Sequence, residues 1–242
     1  MRKIKTGIPG LDEIFKGGIN SGTSFLLTGP PGTGKTIFAI QFIHAGAMLG
    51  EAGLYITSEE EPTDIREIAS SIGLGLEKFE KKGLVSIIRQ SISDKKLVSI
   101  ATPLRLIKEN KIKRVALDSL TLFEYMHVAG EMDYRKEVLD FVIRMKETKV
   151  TLLTTSEKSI IDIDQFHYDP EDFLFDGLII LTKVRKSSTF ERCLNVVKMR
   201  GQEHLIDIYP FSISKGSGIE VHTKQLPFSL IDKDAKEERF TK

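Results

Sequence analysis

Between residues 25 and 155, short apolar runs alternate with longer stretches of helical spacing, and this alternation predicts repeated β-α units. Phe25-Leu26-Leu27-Thr28 reads as a short buried strand entering a glycine-rich loop, and Ile37 to Leu49 as a helix apolar on most faces. Leu54 to Thr57 is the next strand. Pro62 then opens a helix to Ile72, because a proline at the first helical position gives up no hydrogen bond. Leu84 to Arg89 is a further strand, and Thr102-Pro103 has the form of an N-cap and first-turn proline for a helix to about Glu109. Val115-Ala116-Leu117 is a compact strand ending in Asp118. Tyr134 to Lys146 is amphipathic, with Val138, Phe141, Val142 and Met145 at three- and four-residue spacing, and Val150 to Thr155 is a strand again.

From Leu178 onward the pattern changes. Leu178 to Val184 and Phe190 to Lys198 read as a hairpin joined by the polar turn Arg185-Lys186-Ser187-Ser188, followed by short strands at Ile206–Tyr209, Phe211–Ser214 and Ile219–Val221. The expected fold is α/β, a mostly parallel sheet flanked by helices with an antiparallel C-terminal extension. With no low-complexity linker and no internal repeat, residues 1–231 read as one domain. Residues 232–242 are mostly charged and read as a mobile tail.

Composition narrows the class. Hydrophobic residues at 40% and charged residues at 29% of 242 residues suit a soluble globular chain with a sizeable core. No apolar run reaches the roughly 18–20 residues of a membrane span, and no apolar segment follows Arg2, Lys3 and Lys5 to make a secretory leader. The single cysteine, Cys193, excludes an internal disulfide and fits a reducing cytoplasm; as a residue it reads as a small core hydrophobe. A formal charge of +1 carries no basic footprint, so a nucleic-acid site would have to be local.

The loop Gly29-Pro30-Pro31-Gly32-Thr33-Gly34-Lys35-Thr36 matches G-x-x-x-x-G-K-[ST] in full, with a strand before it and a helix after it. Gly32 and Gly34 let successive N–H groups turn toward phosphate oxygens, and Lys35 brings a cation to the β- and γ-phosphates. Thr36 offers a hydroxyl to Mg²⁺, and the helix beginning near Lys35 points its positive end at the anion. These features predict ATP binding with Mg²⁺. Asp118, at the end of an apolar strand and followed by Ser119, has the Walker B form of a second Mg²⁺-shell carboxylate. Glu59-Glu60-Glu61 lies just past the strand ending in Thr57. Carboxylates there could face the γ-phosphate from the carboxyl rim of the sheet, or could be an acidic first turn favoured by the next helix's dipole.

Several motifs in order are similar to one known family: Thr6-Gly7-Ile8-Pro9-Gly10-Leu11-Asp12, Gly17-Gly18-Ile19, the Walker A loop, Ser58-Glu59-Glu60, Asp118-Ser119, Thr154-Thr155 and Lys198-Met199-Arg200-Gly201. Together they resemble a single KaiC-type domain of the RecA superfamily of P-loop NTPases, over nearly the whole chain apart from the tail. The resemblance implies a RecA-like core and an ATPase whose catalytic acidic pair maps onto Glu59 and Glu60. It also implies a homo-oligomeric ring, usually a hexamer, with ATP between subunits. Lys198 and Arg200 would then serve the neighbour's γ-phosphate, although a solvated basic hairpin with Lys183, Arg185, Lys186 and Arg192 is the competing reading of the same strand.

The chain departs from the clock members of that family in having one domain. Where their phosphorylated hydroxyls would fall it has Phe173-Leu174-Phe175, so simple ATPase activity is expected in place of autophosphorylation. Thr154, Thr155 and Ser156 are either γ-phosphate sensors or strand caps. Lys158 to Asp172 corresponds to a central-channel loop and is acidic, which disfavours DNA and a RadA/RecA-like recombinase role. Phe166, His167 and Tyr168 could stack on bases or anchor the loop, and no zinc site is expected. The expected function is a regulatory ATPase acting on an unidentified protein partner. A nucleotide-gated scaffold with little turnover is the alternative outside the DNA-acting class.

Overall fold

The structure, a computed structural model, describes residues 2–90, 101–120, 123, 134–158, 168–186 and 188–227. The chain opens with a two-stranded antiparallel ribbon of β1 (Lys3–Ile4) and β2 (Ile19–Asn20), with the one-turn helix α1 (Leu11–Ile14) between them. The alternating region follows as β3 (Ser24–Gly29), α2 (Lys35–Met48), β4 (Gly53–Thr57), α3 (Pro62–Ser71), α4 (Glu77–Glu80) and β5 (Val85–Arg89). It continues through α5 (Ala101–Glu109), β6 (Arg114–Asp118), α6 (Tyr134–Glu147) and β7 (Thr151–Glu157). A 3-10 turn at Pro170–Phe173 leads into β8 (Gly177–Lys186), β9 (Thr189–Met199), β10 (Ile208–Ser214) and β11 (Gly218–Val221).

Among the described residues these strands form one nine-stranded sheet in the order β11-β10-β9-β8-β3-β7-β6-β4-β5. From β8 to β5 every pairing is parallel, and β8 through β11 pair antiparallel. This is the expected mostly parallel sheet with an antiparallel C-terminal extension. All six residues of β3 are buried, as a central parallel strand covered on both faces must be. Strand alternation splits the core in two. On one face Phe38 and Phe42 of α2 and Ile65 of α3 pack with Phe25, Leu27 and Tyr55. On the other, Ile107 of α5 and Val138 and Phe141 of α6 pack with Leu26, Leu117 and Leu152.

Three local expectations change. Thr102 lies inside α5 and is no N-cap, while Pro103 is buried against the core. Ile206–Tyr209 and Phe211–Ser214 are not two strands, because β10 runs without a break through Pro210. The Pro210 carbonyl accepts the His222 N–H at 2.9 Å, so its main-chain polar groups face β11 and the missing N–H leaves the β9 ladder intact. The hairpin turn is also tighter than read: pairing continues to Lys186 opposite Thr189.

One irregularity matters for the site. Leu178 pairs with Lys198 but Ile179 pairs with Val196, so Val197 is the extra residue of a β-bulge. Before it Leu194 and Val196 face the α2 side, and after it Met199 does. Residues 192, 198 and 200 would share a face in an unbroken strand. The bulge turns Lys198 and Arg200 to the opposite face from Arg192.

Candidate active site

β3 ends at Gly29 and α2 begins at Lys35, so the Walker A loop spans the carboxyl edge of the sheet at its centre. Gly34, at φ +110°, is the residue before the helix, and a Cβ there would lie 2.8 Å from Ile213 Cδ1. Gly32 also has positive φ, at +70°. The Thr33 hydroxyl closes the loop by donating to the Pro30 carbonyl at 2.8 Å. Lys35 is buried, and its ammonium donates to the carbonyls of Gly29 and Pro30 at 2.9 and 3.1 Å, with Glu157 Oε1 at 3.6 Å. Burial draws its pKa below the ordinary lysine value, opposed by the charges of Glu157, Asp118 and Glu59.

Asp118 ends β6 and lies between hydroxyls from the two flanking strands. Tyr55 of β4 donates to Oδ2 at 2.6 Å, and Thr155 of β7 donates to Oδ1. Burial, then the neighbouring Asp118 charge, pushes the Tyr55 hydroxyl well above its ordinary pKa, so it remains a neutral donor. Of the three candidate sensor hydroxyls Thr155 is therefore engaged by Asp118, while Thr154 Oγ1 is buried without a partner among the described residues.

The acidic triplet divides between its two readings. Glu61 is the N-cap of α3, where its N–H donates to Asp64 Oδ2 at 3.3 Å, and its carboxylate pairs with Arg89. Glu59 and Glu60 instead line the cavity in front of the loop. Ser119 Oγ donates to Glu59 Oε1 at 3.3 Å, and Thr57 fixes the backbone by donating to the Glu60 carbonyl at 2.9 Å. Burial first, then the Asp118 charge, raises the Glu60 carboxyl above the ordinary carboxylate range.

The cavity has a volume of about 570 Å³, within the usual range for a small-molecule site. It is lined by Gly32, Gly34, Lys35 and Thr36 from the loop, Glu59 and Glu60 from β4's end, and Asp118 and Ser119 from β6's end. Arg192 of β9 also lines it, and its Nε is buried without a hydrogen-bond partner among the described residues. Across the hairpin Arg192 pairs with Lys183, whose ammonium reaches the Pro31 carbonyl at 3.2 Å. Two cations directly opposed on adjacent strands repel unless an anion sits near them. That like-charge pairing, readable once the hairpin register is known, is the signal by which sequence could have separated Arg192 from a solvated face.

Lys198 and Arg200 are not in this cavity. The Lys198 ammonium donates to the Phe175 carbonyl at 3.0 Å and lies 5.6 Å from the Phe173 ring centre, and Arg200 Nη2 donates to the Phe173 carbonyl at 3.2 Å. Arg200 lies eight residues beyond Arg192, about 25 Å along the strand at roughly 3.3 Å per residue, at the amino edge of β3 and β8.

Residues 159–167 of the expected channel loop, with Phe166 and His167, lie outside the described residues, as does the tail from 232. At the loop's described end Lys158 bonds Asp169 at 2.8 Å and Asp172 at 2.5 Å, and Tyr168 lies 6.0 Å from Phe173 between ring centres. No helix among the described residues is long and apolar enough to cross a membrane.

The geometry has counterparts in known proteins. The family model described as KaiC, an ATPase family, matches residues 4–226. The circadian clock oscillator protein KaiC of Prochlorococcus marinus is 33% identical over 236 residues, covering 91% of this chain and 46% of that protein. KaiC of Thermostichus vulcanus is 31% identical over 233 residues, covering 90% and 44%. The chain thus spans about half the length of the curated relatives it matches. The crystal structure of a KaiC-like protein from the hyperthermophilic archaeon Pyrococcus horikoshii superposes with a TM-score of 0.77 at 34% identity, over 91% of this chain and 99% of that one.

Proposed function

The chain belongs to the KaiC family of ATPases, and from that premise we propose that it binds and hydrolyses Mg²⁺-ATP as a homo-oligomeric ring, with each nucleotide between two subunits. The reading rests on one observation: Walker A residues, Asp118, Glu59 and Glu60 converge on a single cavity, while Lys198 and Arg200 lie at the far edge of the sheet.

The cavity's donors suit Mg²⁺ carried by a nucleotide. Thr36 and Asp118 offer hard oxygens, and no group of three His, Cys, Asp or Glu among the described residues would hold a metal without phosphate ligands. When bound, Mg²⁺ neutralises charge on the β- and γ-phosphate oxygens. The protein's own groups do the rest. The loop N–H groups of Gly32 to Thr36 hold the phosphates, and Lys35 exchanges its loop carbonyls for phosphate oxygens. Arg192 adds a cation from the same chain, its orphaned Nε finding an acceptor on the nucleotide. Glu60, with its raised pKa, orients and deprotonates the attacking water, and Glu59 supports it from the same rim. Lys198 and Arg200 of one subunit stabilise the developing charge on the neighbour's γ-phosphate, since neither reaches its own.

A hexamer is the ring the family suggests, and turnover would drive a regulatory cycle with an unidentified protein partner in the cytoplasm. Phosphate release measured with and without single-stranded DNA tests the reading. Turnover indifferent to DNA is expected, abolished in Glu60→Gln with ADP binding retained. Native-rate hydrolysis by Glu60→Gln removes the base assignment, stimulation by DNA transfers the chain to the recombinase reading, and no turnover leaves the nucleotide-gated scaffold.

A further inference from the structure

Tyr55 sits on β4 opposite Ala116 of β6, and Asp118 is two residues further along the same face. Two residues of strand span about 6.6 Å, roughly the reach of a tyrosine from Cα to hydroxyl. The small Ala116 leaves room for the ring to run along the sheet, and the hydroxyl arrives at Asp118 Oδ2 at 2.6 Å. The ring is fully buried among Phe38 and Ile65, so packing alone would be served as well by phenylalanine. A hydroxyl there requires an acceptor, and the acceptor it has is the carboxylate at the head of β6. Thr155 donates to the other oxygen from the opposite flank, so the carboxylate is held from both sides in one row across β4, β6 and β7.

We propose that Tyr55 is a positioning residue for the divalent cation: with Thr155, its hydroxyl fixes the rotamer of Asp118, so that the carboxylate would be held ready for a metal carried by the nucleotide. The proposal rests on the Mg²⁺-nucleotide reading of this cavity, and Tyr55 is not among the residues that line it. Without the hydroxyl, Oδ2 loses its donor and the carboxylate is held from the Thr155 side alone. Outer-shell donors of this kind change metal affinity by about 10- to 100-fold when removed.

The experiment is Mn²⁺ binding followed by electron paramagnetic resonance on the full chain with saturating ADP, alongside ADP binding in EDTA and thermal melting. Tyr55→Phe keeps every ring contact. The expected result is Mn²⁺ affinity weakened about 10-fold, with metal-free ADP affinity and melting temperature held. Mn²⁺ affinity within twofold of the native protein overturns the proposal and leaves the site reading standing. A loss of metal-free ADP binding or of folding equal to the loss of Mn²⁺ binding also overturns it, because the role would then be structural. Failure of the native protein itself to bind Mn²⁺ with ADP overturns the site reading and the proposal together.

Discussion

The two ends of β9 carry the same kind of residue in opposite settings. At the start Arg192 faces the cavity lined by the chain's own Walker A loop, on the α2 side of the sheet. At the finish Lys198 and Arg200 lie against Phe173 and Phe175, on the other face and the other edge. One bulged residue, Val197, makes the difference in face, and the length of the strand makes the difference in edge. Under the proposed ring, a basic strand would therefore be two sites: one set of cations placed for the chain's own phosphates, and one placed for a neighbour's.

Mixing subunits tests that division most severely. Arg200→Ala is expected to lower turnover about 10³-fold or more, as loss of a trans arginine does in phosphoryl transfer, with ADP binding retained. Glu60→Gln is inactive for a different reason. In rings assembled from equal amounts of the two, an Arg200→Ala cavity beside a Glu60→Gln neighbour has every group it needs. Random assembly makes half times half, or about a quarter, of the interfaces of that kind, and phosphate release should recover to a comparable fraction. Absence of recovery would mean that Arg200 works within its own chain and that the ring mechanism is wrong. Arg192→Ala mixed with Glu60→Gln should show only the activity of its own Arg192→Ala cavities and no complementation beyond it, because Arg192 and Glu60 belong to one cavity.

A second, smaller effect separates Arg192 by kind as well as by place. Its Nε lacks a partner among the described residues, so under the proposed function a bound nucleotide would supply the missing acceptor. Charge-assisted hydrogen bonds contribute about 1.5–3 kcal/mol, so Arg192→Ala should weaken nucleotide binding roughly 10- to 100-fold. Isothermal titration with ADP and steady-state kinetics read this directly: KM rises and kcat holds. A fall in kcat at unchanged KM would place Arg192 with Lys198 and Arg200 as a transition-state group and dissolve the contrast.

The sequence made the local features legible and the cross-strand ones not. The Walker A loop is a contiguous run whose glycines, lysine and threonine state their tasks in order, and the strand-loop-helix context could be read beside it. Residues alone leave the acidic rim after β4 as a pair of alternatives; the family resemblance selects Glu59 and Glu60, and the position of Glu61 as the N-cap of α3 gives the third carboxylate its separate task. In sequence Arg192 enters only as part of the competing solvated-hairpin reading, because its partner is set by register and its separation from Lys198 and Arg200 by a bulge, neither of which the period-two pattern records. Tyr55 reads in sequence as one more apolar strand residue. Its hydroxyl gains meaning from Asp118, 63 residues away, through a β4–β6 pairing that no local pattern announces. Pro210 lies inside β10 without breaking it, because the N–H it lacks would point at His222 beyond the end of β11 and not into the β9 ladder.

The smallest expected effect concerns the cost of burying the Lys198 ammonium. Its ammonium is kept below the ordinary lysine pKa, first by burial and then by repulsion from Arg200. A lysine with a lowered folded pKa destabilises the fold wherever it is charged in both states. The cost is present in full at neutral pH and is relieved as pH rises through the folded pKa toward the unfolded value of about 10.4. Lys198→Met keeps the apolar stem over Phe173 and removes the charge. The nucleotide-free variant should melt higher at neutral pH by on the order of 1 °C, discounted for partial exposure, with the gain shrinking near pH 10. Added ATP should then reverse the order, because the native ring gains a phosphate for Lys198 and the variant does not. A neutral-pH melting temperature lower in Lys198→Met would show that the Phe175 carbonyl and Phe173 ring outweigh burial, leaving Lys198 a structural cation at its end of the strand.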